Sequence, residues 1–278
     1  MLKQRLLTAV VLIALILVTL FFLPPVAFSL LLGLFVLAAS WEWSRLAGLR
    51  PIAQRVMYVI FIGALGSVTL FAIEYDPSLI LPLTIAAFLW WCYVFTELLL
   101  RDQRNKGVFG SIIGKLTSGC LVLVPAWPAS VYLLQHEQGG PGLVLFLLAL
   151  VGLADSAAFF TGRAWGKTKL APQTSPGKTV EGLLGGLVAV AIFSAFFGSI
   201  AWGYPTGQLL IFLTITVIVA VFAAVGDLTE SKLKRVAGVK DSGSLLPGHG
   251  GVLDRIDAFT AAAPVFTLGW VFMLRVWP

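Results

Sequence analysis

Apolar runs long enough to cross a lipid bilayer recur along almost the whole chain. A transmembrane helix needs about 20 mainly apolar residues, and nine segments of roughly this length can be delimited. They are residues 6–23, 26–43, 56–73, 79–100, 111–134, 141–161, 180–202, 207–226 and 258–277. Backbone groups in lipid must be paired within their own segment, so each span is predicted to be a helix. The sequence therefore predicts an all-α integral membrane protein with about nine transmembrane helices.

Charged residues are too scarce for a soluble protein. Only 12% of the 278 residues are charged and 59% are hydrophobic, whereas soluble domains contain about 25% charged residues. The formal net charge is +6, but the basic residues lie in short segments between apolar runs rather than on one polar face. This distribution favours membrane topology and anionic substrates as its explanation, and it argues against nucleic-acid binding.

Lys and Arg residues also predict the orientation of the chain, because cytoplasmic loops carry an excess of them. With the amino terminus inside, 18 of the 19 basic residues fall on the cytoplasmic side and only Arg275 lies outside. An even number of spans would scatter these charges over both sides. We therefore predict a multi-pass protein of the cell (inner) membrane with a cytoplasmic amino terminus and the carboxyl terminus outside.

The two longest polar segments, residues 162–179 and 227–257, both fall on the predicted cytoplasmic side. No linker separates domains, so residues 1–278 are predicted to form a single polytopic membrane domain. Within it, residues 1–140 would supply helices for scaffolding or oligomerisation, and residues 141–278 would supply the catalytic helices and both loops. An active site is accordingly expected on the cytoplasmic side.

Several acids in or at the edge of the apolar runs need a partner or a function, since an ionised group in lipid costs at least about 2.5 kcal/mol. They are Glu42, Glu97, Asp155, Glu181, Asp227, Asp254 and Asp257. Glu42 and Glu97 lie near predicted cytoplasmic helix ends beside arginines, and we interpret both as interfacial ion pairs. Asp155 is more than one helical turn from Arg163 and should face the bundle interior. Two roles of Asp155 remain open. It could form a structural ion pair with Arg163 or a loop lysine, or it could belong to a functional site.

Residues 226–235 carry polar groups at the spacing of one helix face. Asp227, Glu230, Ser231 and Lys234 stand at i, i+3, i+4 and i+7, which places carboxylate, hydroxyl and ammonium groups together. A solvated helix end with an Asp cap and ordinary charge pairs would have the same pattern. This segment alone does not decide between that structure and a site.

The stretch from Ser231 to Asp257 strengthens the case for a site. Its glycines and proline predict a tight loop between two spans, in which backbone can approach a ligand closely. Carboxylates with a divalent ion, flanked by Lys and Arg, are what phosphoryl or nucleotidyl transfer requires. A cytoplasmic loop that only carries the usual excess of Lys and Arg needs no acids and no GHGG sequence. His249 by itself would more often be a solvated loop residue. The candidates in this stretch are Lys234, Arg235, Lys240, Asp241, His249, Asp254, Arg255 and Asp257.

The other polar segment contains two GKT triplets, but neither satisfies the phosphate-loop pattern. That pattern needs a glycine five residues earlier, where this chain has Thr161 and Pro172. The start of the following helix is a better candidate for phosphate binding, with Ser175, Lys178 and Thr179 offering hydroxyls, a cation and free amides. Glu181, in the first turn, is either part of this site or a capping acid.

The polar pattern of residues 231–257 resembles that of the phosphatidate cytidylyltransferase family, also called CDP-diacylglycerol synthases. In the family a serine, KR, KD, HGG and DRxD follow at fixed spacings, and all of them are present here in register. SPGKTVEG and the Asp155 segment also look like the family, whereas the first 140 residues match only as apolar spans. The matching positions are Ser231, Lys234, Arg235, Lys240, Asp241, His249, Gly250, Gly251, Asp254, Arg255 and Asp257.

The resemblance implies a magnesium-dependent reaction in which a phosphatidate oxygen attacks the α-phosphorus of CTP and expels diphosphate. It also implies a paired-metal centre on Asp227 and Asp254, with K⁺ beside Mg²⁺, completed by Ser231, Lys234 and Asp257. Family members work as homodimers, with CTP, phosphatidate and membrane lipid as partners. Two alternatives remain: a CTP-dependent lipid-alcohol kinase, and a membrane transporter, which nine spans and an intramembrane Asp155 would also suit.

Overall fold

A computed structural model of the protein describes residues 2–100, 106–136, 139–246, 248 and 250–277. In these ranges the chain forms nine α-helices and one antiparallel hairpin of two short strands. The helices are α1 (Leu2–Phe21), α2 (Pro25–Ala47), α3 (Ile52–Tyr75), α4 (Ile80–Leu100), α5 (Ile112–Leu134), α6 (Gly140–Trp165), α7 (Val180–Phe196), α8 (Thr206–Val236) and α9 (Leu253–Val276). The hairpin pairs β1 (Lys169–Ala171) with β2 (Ser175–Thr179).

The helices confirm the prediction of a helical, multi-pass membrane protein. The eight helices α2 to α9 are long and apolar enough to cross a bilayer. Helix α1 has a shorter apolar segment, Leu7–Phe21, when only the residues with described side chains are considered. The count of nine crossings and the orientation of the termini stay predictions.

Both polar loops are shorter than predicted. The segment 227–257 was expected to be largely loop, but α8 continues to Val236 and α9 begins at Leu253, so the loop covers only residues 237–252. Likewise, α6 continues to Trp165, and the hairpin occupies most of the remaining segment 162–179. The polar turns stay helical because their side chains pair along the helix, as Lys234 does with Glu230 at 3.3 Å.

Helix α9 lies at the centre of the bundle, where it packs against α8, α5 and α4. Its residues Ala261–Ala263 are fully buried, and such small side chains let neighbouring backbones approach closely. The α8 residue at this crossing is Gly226. A Cβ atom placed on it would lie 2.6 Å from the carbonyl oxygen of Asp257, so only glycine allows this approach. This close crossing brings the acidic ends of α8 and α9 together.

Helices α6 and α7 make a second close crossing. A Cβ atom at Gly182 would lie 2.7 Å from the carbonyl oxygen of Ala158, and one at Gly186 would lie 2.9 Å from that of Ala154. At the opposite end of these helices, aromatic rings pack together, with Phe146 stacked on Phe193 at 5.2 Å. The bundle formed by α6 to α9 is thus filled with rings at one end and polar at the other.

Candidate active site

A cavity of about 540 Å³ lies between α6, α7, α8, α9 and the hairpin, at the polar end of the bundle. Much of its wall consists of small apolar residues such as Ala158, Gly182 and Ala223. Its polar and charged lining comes from α6, α8, α9 and the hairpin, whereas α7 contributes only glycines and leucines. The residues concerned are Asp155, Arg163, Ser175, Lys178, Thr179, Asp227, Asp254, Arg255 and Asp257.

Helix α8 presents Asp227 to this cavity. One carboxylate oxygen of Asp227 lies 2.6 Å from the Lys178 ammonium of the hairpin. The hydroxyl of Ser231, one turn further along α8, donates to the other oxygen at 3.3 Å. The predicted polar face of α8 is therefore present, although Ser231 reaches the site through Asp227 and does not line the cavity itself.

Asp254 lies in the first turn of α9, where its carboxylate accepts several hydrogen bonds. The Lys234 ammonium lies 2.6 Å from one oxygen. The other oxygen accepts from the backbone amides of Ser242 at 3.0 Å and Gly251 at 2.9 Å. One charged donor and two backbone amides thereby fix the orientation of this carboxylate.

A second pair of acids lies behind these two. Asp257, one turn after Asp254, lines the cavity, and its carboxyl group contacts that of Glu230. Glu230 is only 2% exposed, and the Lys234 ammonium lies 3.3 Å from its carboxylate. Lys234 thus compensates buried acids on both α8 and α9, because two unpaired carboxylates at this depth would repel each other.

The cavity lining carries more acidic than basic side chains among the residues that the structure describes. The lining holds four carboxylates and three cations, so it repels polyanionic substrates unless a further positive charge is bound. Carboxylate oxygens are the ligands that Mg²⁺ prefers, so the donor chemistry of Asp227 and Asp254 fits the metal implied by the family resemblance. In the described ranges no group of three or more Asp, Glu, His or Cys side chains converges on one point.

The hairpin leads directly into α7. The hydroxyl of Thr179 accepts a hydrogen bond from the amide of Gly182 at 3.1 Å and so caps the helix. Ser175, Lys178 and Thr179 line the cavity, as expected from the sequence. Glu181 instead points at the backbone before β1, where it accepts from the amides of Lys167 at 3.0 Å and Thr168 at 3.1 Å. Glu181 thus ties the first turn of α7 to the segment before β1 and lies outside the cavity lining, and its role in substrate binding stays a prediction.

Three other predicted binding residues lie outside the cavity lining. Arg235 donates to the carbonyl oxygens of Thr174 and Val239, each at 3.3 Å, and so ties the hairpin to the end of α8. Lys240 and Asp241 are exposed in the loop 237–252. Their substrate-binding roles stay predictions, and His249 lies outside the described residues.

Asp155 faces the cavity from α6, as predicted for an acid turned away from lipid. Asp227 and Lys178 are charged neighbours of Asp155, and Arg163 lines the same cavity about two turns further along α6. The position of Asp155 therefore agrees with a site residue. Arg255 also lines the cavity, from the first turn of α9.

The model of the cytidylyltransferase family matches residues 3–273. The chain belongs to this family. A phosphatidate cytidylyltransferase from Pseudomonas aeruginosa is 42% identical over 266 residues, which cover 96% of each chain. A protein of the same name from Haemophilus influenzae is 37% identical, and the match covers 99% of this chain and 100% of the relative. Another from Bacillus subtilis is 32% identical, and the match covers 77% of this chain and 88% of the relative.

These matches confirm the resemblance that residues 231–257 indicated, and they show that the chain is a nucleotidyltransferase of the cytidylyltransferase family. They also extend the resemblance over the first 140 residues, where the sequence alone matched only in its apolar spans. The amino-terminal helices therefore belong to the family architecture.

Two buried acids of the amino-terminal helices contact the carboxyl-terminal helices, and their partners in the described part of the chain are not the arginines that the sequence suggested. Glu97 of α4 is 5% exposed and lies 2.8 Å from the ammonium of Lys232 on α8. Glu42 of α2 is 2% exposed and bonds to the loop 237–252 and the start of α9. Their occurrence within apolar runs was the available signal, since an acid inside the membrane needs a polar or charged partner.

Proposed function

We propose that this protein transfers the cytidylyl group of CTP to phosphatidate, which yields CDP-diacylglycerol and diphosphate. Relatives that cover nearly the whole chain carry the name phosphatidate cytidylyltransferase. The observation that carries the proposal is the single cavity in which Asp227, Asp254 and Asp257 face Lys178 and a wall of small apolar residues. Its polar part suits the phosphates of both substrates, and its apolar part suits a lipid.

The reaction needs no covalent enzyme intermediate. A phosphate oxygen of phosphatidate bonds to the α-phosphorus of CTP, and the bond from that phosphorus to the oxygen bridging to the β-phosphate breaks. Diphosphate leaves with the electron pair of that bond. Lys178 and Arg255 are placed to bind phosphate oxygens and to stabilise the charge that develops on the leaving group.

A divalent cation, Mg²⁺ in this proposal, would be held by Asp227 and Asp254. When bound, such an ion neutralises and orients phosphate oxygens. The excess of carboxylates over cations in the lining and the oxygen donor set support this assignment. Lys178 and Lys234 each pair with one of the two aspartates and compensate their charges. The neighbouring K⁺ implied by the resemblance stays a prediction.

Purified protein is expected to release diphosphate from CTP only when phosphatidate and Mg²⁺ are both present. The measurement is coupled diphosphate release together with mass-spectrometric identification of the lipid product, with CTP, dCTP and ATP compared in parallel. Release of CDP with a phosphorylated lipid alcohol would instead identify a lipid kinase. Substrate uptake into proteoliposomes without nucleotide turnover would favour the transporter alternative.

The metal assignment predicts weaker ion binding after replacement of Asp227. In the presence of CTP, Asp227→Asn should bind Mn²⁺, used as a probe for Mg²⁺, about 10-fold more weakly than the unmodified protein, because a charged oxygen ligand is lost. Electron paramagnetic resonance of free Mn²⁺ measures this directly, without turnover. Glu74→Gln, at the opposite end of the bundle, is the control. Equal Mn²⁺ affinity of the Asp227→Asn and unmodified proteins would contradict the assignment.

We further propose that the protein lies in the cell inner membrane as a homodimer, with the cavity on the cytoplasmic side. The distribution of Lys and Arg along the sequence supports this orientation. The dimer follows from the family resemblance. Labelling of single cysteines introduced in the loop 237–252 and after α9, with a membrane-impermeant thiol reagent, tests the orientation.

A further inference from the structure

The carboxylate of Glu42 is buried at the junction between α2 and the start of α9. One oxygen accepts hydrogen bonds from the Ser242 hydroxyl and the Leu253 amide, each at 2.9 Å, and the other accepts from the Val252 amide at 3.2 Å. A buried carboxylate is stable only when it is paired or hydrogen-bonded in this way. Its position at the beginning of α9 is also favourable for the helix dipole.

These bonds connect Glu42 to Asp254 through two short paths. Ser242, whose hydroxyl bonds to Glu42, donates its backbone amide to the Asp254 carboxylate at 3.0 Å. Leu253, whose amide bonds to Glu42, directly precedes Asp254 in the chain. Arg45, also on α2, donates to the carbonyl oxygen of Ser242 and restrains that residue from the other side. Helix α2 therefore holds both Ser242, whose backbone amide donates to Asp254, and the backbone that directly precedes Asp254.

Two glycines of the loop leave room for this contact. A Cβ atom at Gly243 would lie 2.0 Å from one carboxylate oxygen of Glu42, and one at Gly251 would lie 2.5 Å from the other. A Cβ atom at Gly251 would also lie 2.0 Å from the Ser242 hydroxyl. Gly251 is the second glycine of the HGG sequence. In this structure its lack of a side chain serves the packing of Glu42.

We propose that Glu42 is a positioning residue for the cytidylyl transfer, which it supports by holding the loop that orients Asp254. The inference rests on the proposed function, and it concerns a residue that lies outside the cavity lining and on the amino-terminal half of the chain. Glu42 touches neither substrate. Its replacement should therefore impair turnover more than CTP binding.

The test compares Glu42→Gln with the unmodified full-length protein in lipid nanodiscs. Glutamine keeps the size of the side chain but places an amide group where a carboxylate oxygen accepts two hydrogen bonds. We expect kcat to fall about 10-fold, with KM for CTP changed by less than about twofold. Ser242→Ala removes one of the two paths and should lower kcat about fivefold. In the double variant with Glu42→Gln, the combined loss of kcat should be smaller than the product of the two single losses.

A matched control replaces the other buried acid of the amino-terminal half. Glu97→Gln combined with Lys232→Met removes that ion pair without leaving a charge unpaired, and kcat should stay within about twofold of the unmodified value. Unchanged kcat in Glu42→Gln or Ser242→Ala would overturn the proposal. An equal loss in the control pair would also overturn it, because the effect would then reflect general loosening of the bundle. Absence of CTP turnover in the unmodified protein would instead refute the proposed function.

Discussion

Replacing Asp254 by asparagine is expected to lower kcat for CTP-dependent diphosphate release by about 100-fold or more, since it removes a charged oxygen ligand of the proposed metal ion, which neutralises the reacting phosphates. The side chain keeps its size, and Lys234 retains Glu230 as a partner at 3.3 Å. The protein should therefore fold, and the loss should appear in turnover rather than in yield. Initial rates at saturating CTP and phosphatidate, normalised to folded protein, measure the effect.

The control for this substitution is Asp76→Asn. Asp76 is exposed at the opposite end of the bundle, where it accepts hydrogen bonds from the amide of Ser78 at 3.0 Å and from its hydroxyl at 2.7 Å. The same change of charge there should leave kcat within about twofold, because the residue is far beyond the reach of screened charge interactions with the cavity. Full activity of Asp254→Asn would contradict both the metal assignment and the inferred role of Glu42.

Lys234→Met is expected to destabilise the protein as well as to inactivate it. The Lys234 ammonium lies 2.6 Å from Asp254 and 3.3 Å from Glu230, and its side chain is only 12% exposed. Methionine fills a similar volume but leaves two acids uncompensated in a buried place. Breaking a buried ion pair from one side costs about 3–5 kcal/mol of unfolding free energy. Unfolding by added dodecyl sulfate, followed by circular dichroism, measures this loss.

Two further variants separate charge from side-chain volume at this position. Lys234→Arg keeps the positive charge and should retain more stability than Lys234→Met. Lys106→Met removes an exposed lysine, and surface charges contribute only about 0–1 kcal/mol. If Lys234→Met unfolds at the same detergent fraction as the unmodified protein, the ion pairs described here do not stabilise the fold.

The helical bundle was predictable from the sequence because each span is a long apolar run, and hydropathy alone delimits such runs. The polar helix ends were predictable only in part. The spacing of the polar groups in residues 226–235 indicated one helix face, whereas residues 253–257, in the first turns of α9, were expected to be loop. Their helical structure depends on pairings such as Lys234 with Asp254, 20 positions apart, which hydropathy does not encode. The hairpin was missed for a similar reason, since its two strands are only three and five residues long.

The cavity was largely predicted, since Asp227, Asp254, Asp257 and Lys178 line it together. Their types and spacings within short segments were sufficient for that. The roles of Glu42 and Glu97 could not be derived locally, because their partners lie 200 to 211 and 135 positions away, respectively. Only the packing of α2 and α4 against the carboxyl-terminal helices reveals these contacts.

Helix α8 has a consequence for how the protein meets its lipid substrate. At 1.5 Å per residue, Asp227 lies about 32 Å from the start of the helix at Thr206. The hydrocarbon layer of a bilayer is about 30 Å thick, so a helix that enters at one surface presents Asp227 at the depth of the opposite head groups. A lipid phosphate already resides at this depth and does not have to be lifted out of the leaflet. Turnover should then follow the mole fraction of the substrate lipid in the membrane plane, as for a reaction in two dimensions.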